Sequence, residues 1–260
     1  MRILVTNDDG YTAPGLTVLA NRLLLDGHEV TVAAPLRQQS GGSASLGRVS
    51  DGALVDWQEF ISDEIPGVSV IAIDAPPALA VKAILGGALG DRPDLVLSGI
   101  NAGWNTGGSI LHSGTLGAAL TARSLGWRAA AISCGKGAAG KLHTAAAVAS
   151  SVVRFLERFD SPVALNVNVP NLEVEELKGV RRTIVAGQGL LDVEVVRARN
   201  ELRLRLIPKL PERDATQDSQ AVLDGYVSVS VLNARYAELD LDEIAGGYEL
   251  ESMISSGVSK

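Results

Sequence analysis

The fold is decided by the first 34 residues, MRILVTNDDGYTAPGLTVLANRLLLDGHEVTVAA. The apolar run 3–5 predicts a buried strand, and the run 28–34 predicts a second one. Between them, apolar residues recur at helical spacing and predict a helix that joins the two strands. These residues are Leu16, Leu19, Ala20, Leu23 and Leu24. A strand, a helix and a second strand in this order are typical of a parallel sheet.

The same alternation continues through the first two thirds of the chain. Further buried strands are predicted at 68–73, 95–97, 129–133 and 163–169, and helices near 77–86, 115–125 and 140–158. Because continuous apolar strands need cover on both faces, we predict an α/β fold with a doubly wound, mostly parallel sheet.

The sequence pattern changes after Pro170. Two alternating segments within 191–207 predict a β-hairpin, 226–232 predicts one more strand, and 236–253 predicts an acidic terminal helix. A single core can barely bury the hairpin and the helix, so we expect them to pack between subunits. The alternative is an exposed edge hairpin that its arginines protect from aggregation.

The domain boundaries follow from this change of pattern. No internal repeat or low-complexity linker divides the chain. We therefore expect one domain over 1–260, with an α/β core at 1–170 and a hairpin, strand and helix extension at 171–260.

Composition excludes several classes of function. Lys and Arg total 23 against 30 Asp and Glu, and the net charge of -7 argues against a protein that binds nucleic acid polymers or anionic membranes through a basic face. The single cysteine, Cys134, allows no internal disulfide and fits a reducing compartment. The N-terminus reaches Asn7 before an apolar signal core could form, so we expect a cytoplasmic protein.

Three polar segments directly follow predicted strands. They are Asn7-Asp8-Asp9-Gly10, Gln38-Gln39-Ser40-Gly41-Gly42-Ser43 and Ser98-Gly99-Ile100-Asn101. In open α/β sheets, ligands bind beyond the carboxyl ends of the strands, and all three segments fall on that edge. Carboxylate, hydroxyl and amide oxygens suit Mg²⁺, Mn²⁺ or Ca²⁺ better than zinc.

The same edge offers a phosphate site. Ser113-Gly114-Thr115 immediately precedes a helical pattern, so unpaired backbone amides and two hydroxyls would face the crevice. The preceding segment 98–113 carries no charged residue and is predicted to be a glycine-rich loop, which would let backbone approach a phosphate closely. Within it, Trp104 either stacks on a base or closes over the loop.

Three common catalytic motifs are absent. The chain has no G-x-G-x-x-G after the first strand, no G-x-x-x-x-G-K-[ST] and no G-x-S-x-G. This disfavours a dinucleotide-dependent dehydrogenase, a P-loop enzyme and an α/β-hydrolase.

Taken in order, these segments resemble the SurE family of survival-protein nucleotidases. The resemblance is carried by Asn7-Asp8-Asp9-Gly10-Tyr11 with Ala13-Pro14-Gly15, by Ala34-Pro35 with Gln39-Ser40-Gly41, by 98–105 with 113–115, by Asn166-Val167-Asn168-Val169-Pro170, and by Thr216-Gln217-Asp218 with 225–229. It spans nearly the whole chain, and the ordered combination is far more specific than any one fragment.

The resemblance implies a Rossmann-like phosphatase that depends on a divalent metal and acts on nucleoside 5′- and 3′-monophosphates. It implies one Mg²⁺ or Mn²⁺ per subunit, a C-terminal extension that forms a homodimer or homotetramer, and no polymer or membrane partner. By position, the metal ligands would be Asp8, Asp9, Ser40 and Asn101. The phosphate site would be lined by Asn105, Ser113, Gly114 and Thr115.

The chain departs from the family pattern at several positions. The segment Ala75-Pro76-Pro77-Ala78-Leu79-Ala80-Val81 lacks a usual Thr, Asp and Cys; Gly108, Ser109 and His112 stand where an acidic residue and a Tyr are usual; and Thr121-Ala122 replaces a frequent Glu-Gly. The four metal-ligand positions keep their residue types.

These observations yield one hypothesis and two alternatives. In the hypothesis, a metal held by the four ligands activates water to attack phosphorus, and Asp8 or Asp9 also manages a proton. The first alternative is a nucleotide- or metal-binding protein without turnover. The second is a nucleotide-sugar transferase, suggested by Gly27-His28-Glu29-Val30, although the chain is too short for a second nucleotide-binding domain.

Overall fold

The computed structural model describes residues 1–136, 141–210 and 213–232. The strands are β1 (Arg2–Thr6), β2 (Glu29–Pro35), β3 (Trp57–Ile61), β4 (Ser69–Ile73), β5 (Leu95–Ala102), β6 (Arg128–Cys134), β7 (Ala164–Val169), β8 (Val180–Arg182), β9 (Leu191–Ala198), β10 (Glu201–Pro208) and β11 (Val227–Leu232). The helices are α1 (Pro14–Leu25), α2 (Pro77–Leu85), α3 (Gly114–Ser124), α4 (Leu142–Leu156) and α5 (Asp218–Leu223).

Nine strands form one sheet in the order β3-β4-β2-β1-β5-β6-β7-β11-β8. The strands from β4 to β7 pair in parallel, while β3 and β11 each run antiparallel to an inner neighbour. The chain leaves β1 toward β2 and β4, then crosses back to β5 on the other side of β1. This confirms the predicted doubly wound α/β sheet, and it places the reversal of strand order between β1 and β5.

Helices cover both faces of the sheet, as continuous apolar strands require. On one face, Ile3 and Val5 pack in a cluster with buried residues of α1 and α4. On the other, Leu4 packs in a cluster with buried residues of α2 and α3. Because successive side chains of a strand point to opposite faces, β1 alone contributes to both cores.

The structure differs from the sequence prediction in four places. Strands β3 and β8 were not predicted; β3 is an edge strand whose residues are mostly exposed, so it lacks the buried apolar run that marked the others. The predicted loop over 98–113 is wrong, because β5 continues to Ala102 and a 3-10 helix spans Gly107–His112. Helix α5 was also missed.

The part of the chain after residue 170 contributes to two sheets. Strands β8 and β11 complete the main sheet, with β11 pairing to β7. Strands β9 and β10 form a separate antiparallel pair over the predicted hairpin. The predicted helix at 236–253 lies outside the described residues. Within those residues, none of the helices has the length and apolar character to span a bilayer.

Candidate functional site

The candidate site lies where the strand order reverses, at the carboxyl ends of β1 and β5. Asp8 and Asp9 follow β1, and the loop that contains Ser40 follows β2. Asn101 is the next-to-last residue of β5. Helix α3 begins beside them at Gly114. The topology therefore brings all three predicted segments to one crevice.

Asp8 is a buried carboxylate, only 4% exposed, and it is held by the start of α3. The Thr115 hydroxyl donates a hydrogen bond of 2.6 Å to Asp8 Oδ1. A Cβ added at Gly114 would lie 2.7 Å from Asp8 Cβ and 2.9 Å from Asp8 Oδ2, so only glycine fits there without displacement. The side chain of Thr115, a residue predicted to line the phosphate site, thus contacts a metal-ligand candidate.

Asp9 is half-buried, and its surroundings act on its pKa in opposite directions. Burial raises the pKa of Asp9, and the neighbouring Asp8 carboxylate raises it further, while hydrogen bonds from Gln38 and the Ala102 amide and the charge of Lys136 oppose the rise. Two adjacent carboxylates repel unless a cation or a proton neutralises them. The arrangement is thus favourable for a bound cation.

Gln38 links two of the predicted ligands. Its Nε2 donates to Ser40 Oγ at 3.0 Å and to Asp9 Oδ1 at 3.4 Å. The loop is tied to the end of β1 by the Gln39 amide, which donates to the Asp8 carbonyl at 2.7 Å. The sequence placed Gln38 in this polar segment but did not single it out as a site residue, because nothing in the loop sequence shows which side chain faces the acids.

Close packing on α3 holds the same loop. A Cβ at Gly117 would lie 2.1 Å from the Ser43 carbonyl oxygen, so the loop backbone rests directly on the helix. The Ser43 amide also donates to the His112 carbonyl at 3.4 Å. The glycine lets the Ser40 loop approach the site from the side of α3.

Asn101 is oriented by its own turn. Its Nδ2 donates to the Gly103 carbonyl at 2.7 Å, which uses the amide nitrogen and leaves the side-chain oxygen as the atom able to bind a cation. The next residue, Ala102, donates its amide to Asp9.

The donor set fits a hard divalent cation. Asp8, Asp9, Ser40 and Asn101 offer carboxylate, hydroxyl and amide oxygens, which are ligands of Mg²⁺ and Mn²⁺. In the described part of the chain, no group of three or more His, Cys, Asp or Glu side chains could hold a metal by itself. A cation at this site therefore depends on the serine and the asparagine as well as the two acids.

Asn105 sits at the centre of a buried amide network. Its carbonyl accepts hydrogen bonds from Asn166 Nδ2 at 2.9 Å and Asn168 Nδ2 at 3.0 Å, and its amide donates to Asn168 Oδ1 at 2.8 Å. Its side-chain Nδ2 donates to Ser133 Oγ at 2.8 Å. Two asparagines on β7 thus fix the Asn105 backbone beside the crevice.

Ser113 caps the helix that faces the crevice. Its Oγ accepts a hydrogen bond from the Leu116 amide at 3.2 Å, so Ser113 is the N-cap of α3, and its hydroxyl proton can still donate to another group. The first amides of α3 have no partner within the helix and can receive an anion. Ser113 and Gly114 lie at the N-terminus of α3, and their role at a phosphate site stays a prediction.

The segment before α3 is anchored by a distant carboxylate. Asp218 is fully buried and accepts hydrogen bonds from the backbone amides of Gly107, Ala186 and Ser219 at 2.7 to 3.3 Å. Burial raises its pKa, and the amide hydrogen bonds oppose that rise. Asp218 matched a family landmark, yet no local pattern indicated this structural role.

Trp104 closes the segment between β5 and the 3-10 helix. Its Nε1 donates to the Val169 carbonyl at 2.7 Å, and its ring lies against Gly135, where a Cβ would be only 2.6 Å away.

The single cysteine lies outside this site. Cys134 is buried, and burial raises its pKa to about 11, in agreement with an unreactive core thiol.

Comparison with known proteins identifies the family. The family model described as "Survival protein SurE" matches residues 3–190. The 5′-nucleotidase SurE of Alkalilimnicola ehrlichii is 38% identical over 257 residues, covering 95% of each chain, and that of Ectopseudomonas mendocina is 37% identical over 238 residues, covering 89% of this chain and 92% of the relative. The crystal structure of the SurE protein from Aquifex aeolicus superposes with a TM-score of 0.75 at 28% identity, covering 98% of this chain and 99% of that one. The chain therefore belongs to the SurE family.

Proposed function

We propose that this protein is a nucleotidase that hydrolyses nucleoside 5′- and 3′-monophosphates to nucleoside and phosphate with a divalent cation. The observation that carries the proposal is the contact of Asp8 with the N-terminus of α3, which would bring a cation site at Asp8 and Asp9 next to an anion site at the helix start. Relatives that align over nearly the full chain are named 5′-nucleotidases, which supports the same activity.

Each residue of the site has a role in this reaction. Asp8, Asp9, Ser40 and Asn101 would hold one Mg²⁺ or Mn²⁺ per subunit. When bound, the cation neutralises phosphate charge and lowers the pKa of a coordinated water. Thr115 fixes the Asp8 carboxylate, which keeps one ligand oxygen in a constant orientation.

The substrate phosphate would lie at the start of α3. The amides of Gly114 and Thr115 and the hydroxyl of Ser113 can donate to its non-bridging oxygens. Asn105 would bound the site on the β7 side, where its network holds the backbone rigid. Asp8 or Asp9 would accept a proton from the attacking water.

Phosphate release from AMP in the presence of Mn²⁺ or Mg²⁺ tests the proposal. Asp9→Asn is expected to abolish the metal-dependent rate, because it removes one anionic ligand. Asp160→Asn is the matched control, since Asp160 is exposed and follows α4 near the amino end of β7. Full metal-dependent activity in Asp9→Asn would refute the assignment.

We also propose that the β9–β10 hairpin packs between subunits as part of the 171–260 extension, giving a homodimer or homotetramer in the cytoplasm. One face of the hairpin is apolar and exposed: Val193 is 50% exposed, Val195 55%, Leu204 68% and Leu206 61%. Their register places these four side chains on the same face. Sedimentation should show a dimer or larger, and Leu204→Glu should dissociate it; a wild-type monomer at micromolar concentration would refute this.

A further inference from the structure

A cavity of about 450 Å³ lies beside Asn105. Gly103, Trp104 and Asn105 line it from the segment after β5, and leucines and Lys209 line it from the hairpin side. Lys136, which follows β6, completes the wall. The volume lies within the range of about 300–1,000 Å³ found for small-molecule pockets, so the cavity can admit part of a ligand bound at the neighbouring site.

Lys136 extends toward the proposed metal ligands. Its aliphatic stem lies over Gly103, where a Cβ would be 3.5 Å from Lys136 Cε and 3.9 Å from Asn101 Nδ2. The absence of a side chain at Gly103 therefore gives the lysine access to the edge of the crevice. From there its positive charge acts on the Asp9 carboxylate.

The charge of Lys136 is not used by an ion pair in the described part of the chain. Two lysines nearby are paired: Lys141 contacts Glu173, and Lys209 lies 3.4 Å from Asp192. Among the described residues, no carboxylate lies within ion-pair distance of the Lys136 ammonium. An exposed lysine at the mouth of a cavity, with no such partner, is available to an anionic ligand.

The charge balance of the site calls for such a cation. The carboxylates of Asp8 and Asp9 neutralise a divalent ion, so a dianionic phosphate bound there needs positive charge from elsewhere. The amides of α3 supply only a partial charge at the helix N-terminus. A lysine at the edge of the crevice would supply a full positive charge.

We propose that Lys136 is a substrate-binding residue whose ammonium contacts the phosphate of the nucleotide at the mouth of this cavity. The inference rests on the proposed nucleotidase function. The Lys136 ammonium would then be a third source of positive charge for the phosphate, in addition to the metal and the α3 amides.

Steady-state kinetics with AMP and saturating Mn²⁺ test the role of Lys136. Lys136→Met should raise KM roughly tenfold, with a smaller change in kcat, because it removes a charge-assisted contact made when substrate binds. Lys136→Arg should recover most of the lost affinity. Lys82→Met is the matched control, because Lys82 is exposed on α2 and makes the same change of charge.

Two further readouts separate a phosphate contact from a structural role. The rise of KM with ionic strength should be weaker in Lys136→Met than in the wild type, since one screened attraction is gone. Binding of Mn²⁺ alone should be unchanged or tighter, since a cation near the metal site has been removed. A loss of AMP affinity together with a loss of Mn²⁺ affinity would overturn the assignment.

The failures of the two proposals are distinguishable. A wild-type protein that releases no phosphate from AMP with Mn²⁺ or Mg²⁺ would refute the nucleotidase proposal and this inference with it. A wild-type enzyme that is active, with a Lys136→Met variant of unchanged KM and salt dependence, would refute the role of Lys136 alone.

Discussion

Substituting Gly114 by alanine should lower the activity of the enzyme while leaving the protein folded. The new Cβ would lie 2.7 Å from Asp8 Cβ, whereas ordinary contacts begin at 3.4 Å, so Asp8 or the start of α3 must move by about 0.7 Å. A misplacement of about 1 Å in a catalytic group costs on the order of 100-fold in rate. We therefore expect kcat/KM to fall roughly 10- to 100-fold, which is about 1.4–2.7 kcal/mol of transition-state stabilisation.

The effect on folding should be of similar size in free energy, but it is only a fraction of the total stability of about 5–15 kcal/mol that is usual for a folded protein. Alanine restricts the unfolded chain and favours the helix by about 0.4–1 kcal/mol, while overpacking costs about 1–3 kcal/mol. These terms partly cancel, so the free energy of unfolding should fall by about 0–2.6 kcal/mol. Urea unfolding without metal measures this quantity, and phosphate release from AMP with saturating Mn²⁺ measures the activity.

Gly187→Ala provides the matched control. A Cβ at Gly187 meets no atom within 4 Å, and its backbone does not need a positive φ. This variant should keep wild-type activity and stability. If Gly114→Ala retained both the wild-type kcat/KM and the wild-type affinity for Mn²⁺, the argument that close packing of α3 positions Asp8 would be wrong.

Three other perturbations have defined outcomes. Thr115→Val should weaken Mn²⁺ binding roughly 10-fold in a metal titration, because it frees the Asp8 carboxylate, whereas Thr121→Val, which loses only a hydrogen bond to a helix carbonyl, should not. Asp218→Asn should lower the free energy of unfolding by about 2–3 kcal/mol in urea, since a carboxylate that accepts three backbone amides becomes an amide; unchanged stability would contradict this. The pKa of Cys134 is raised from 9.0 to about 11 in the folded protein, so the unfolded chain loses its thiol proton at lower pH than the folded one. The free energy of unfolding should therefore fall as the pH rises from about 9 to 11. Cys134→Ala should remove that part of the pH dependence.

The fold could be predicted where local sequence and burial agree. The runs that became β1, β2, β4, β6 and β7 are apolar because both faces of the sheet are covered, and their alternation with helices indicated the topology. Strand β3 was not predicted, because an edge strand needs little burial and so lacks a continuous apolar run. The end of β5 was predicted to be a loop, because Ser98, Gly99 and Asn101 have the composition of a loop although they lie in the sheet.

The candidate site could be predicted only in part. The positions of Asp8, Asp9 and Asn101 at one sheet edge followed from the topology of parallel strands. The contact between Thr115 and Asp8 joins residues that are 107 positions apart, and the one between Gly107 and Asp218 spans 111. Such contacts depend on how α3 and α5 pack, which no local pattern encodes.

The high glycine content of the chain can be explained by close contacts between backbone segments. The chain has 28 glycines, and several lie where backbone meets backbone around the site. A Cβ at Gly15 would be 2.0 Å from the Ile100 carbonyl oxygen, one at Gly99 2.3 Å from the Ile132 carbonyl oxygen, and one at Gly117 2.1 Å from that of Ser43. These contacts draw α1, β6 and the Ser40 loop against the elements that carry the candidate ligands.

Backbone contact of this kind makes the site rigid without large side chains. A packed side chain can change rotamer and absorb a small displacement, whereas two backbones in direct contact cannot. Oxygen ligands that bind Mg²⁺ need near-ideal octahedral positions, so the geometry of the site should tolerate little movement. The glycines would therefore support the proposed metal site by fixing where Asp8, Ser40 and Asn101 can lie. Substitutions at Gly15, Gly99 and Gly117 should reduce metal affinity even though none of them is a proposed ligand.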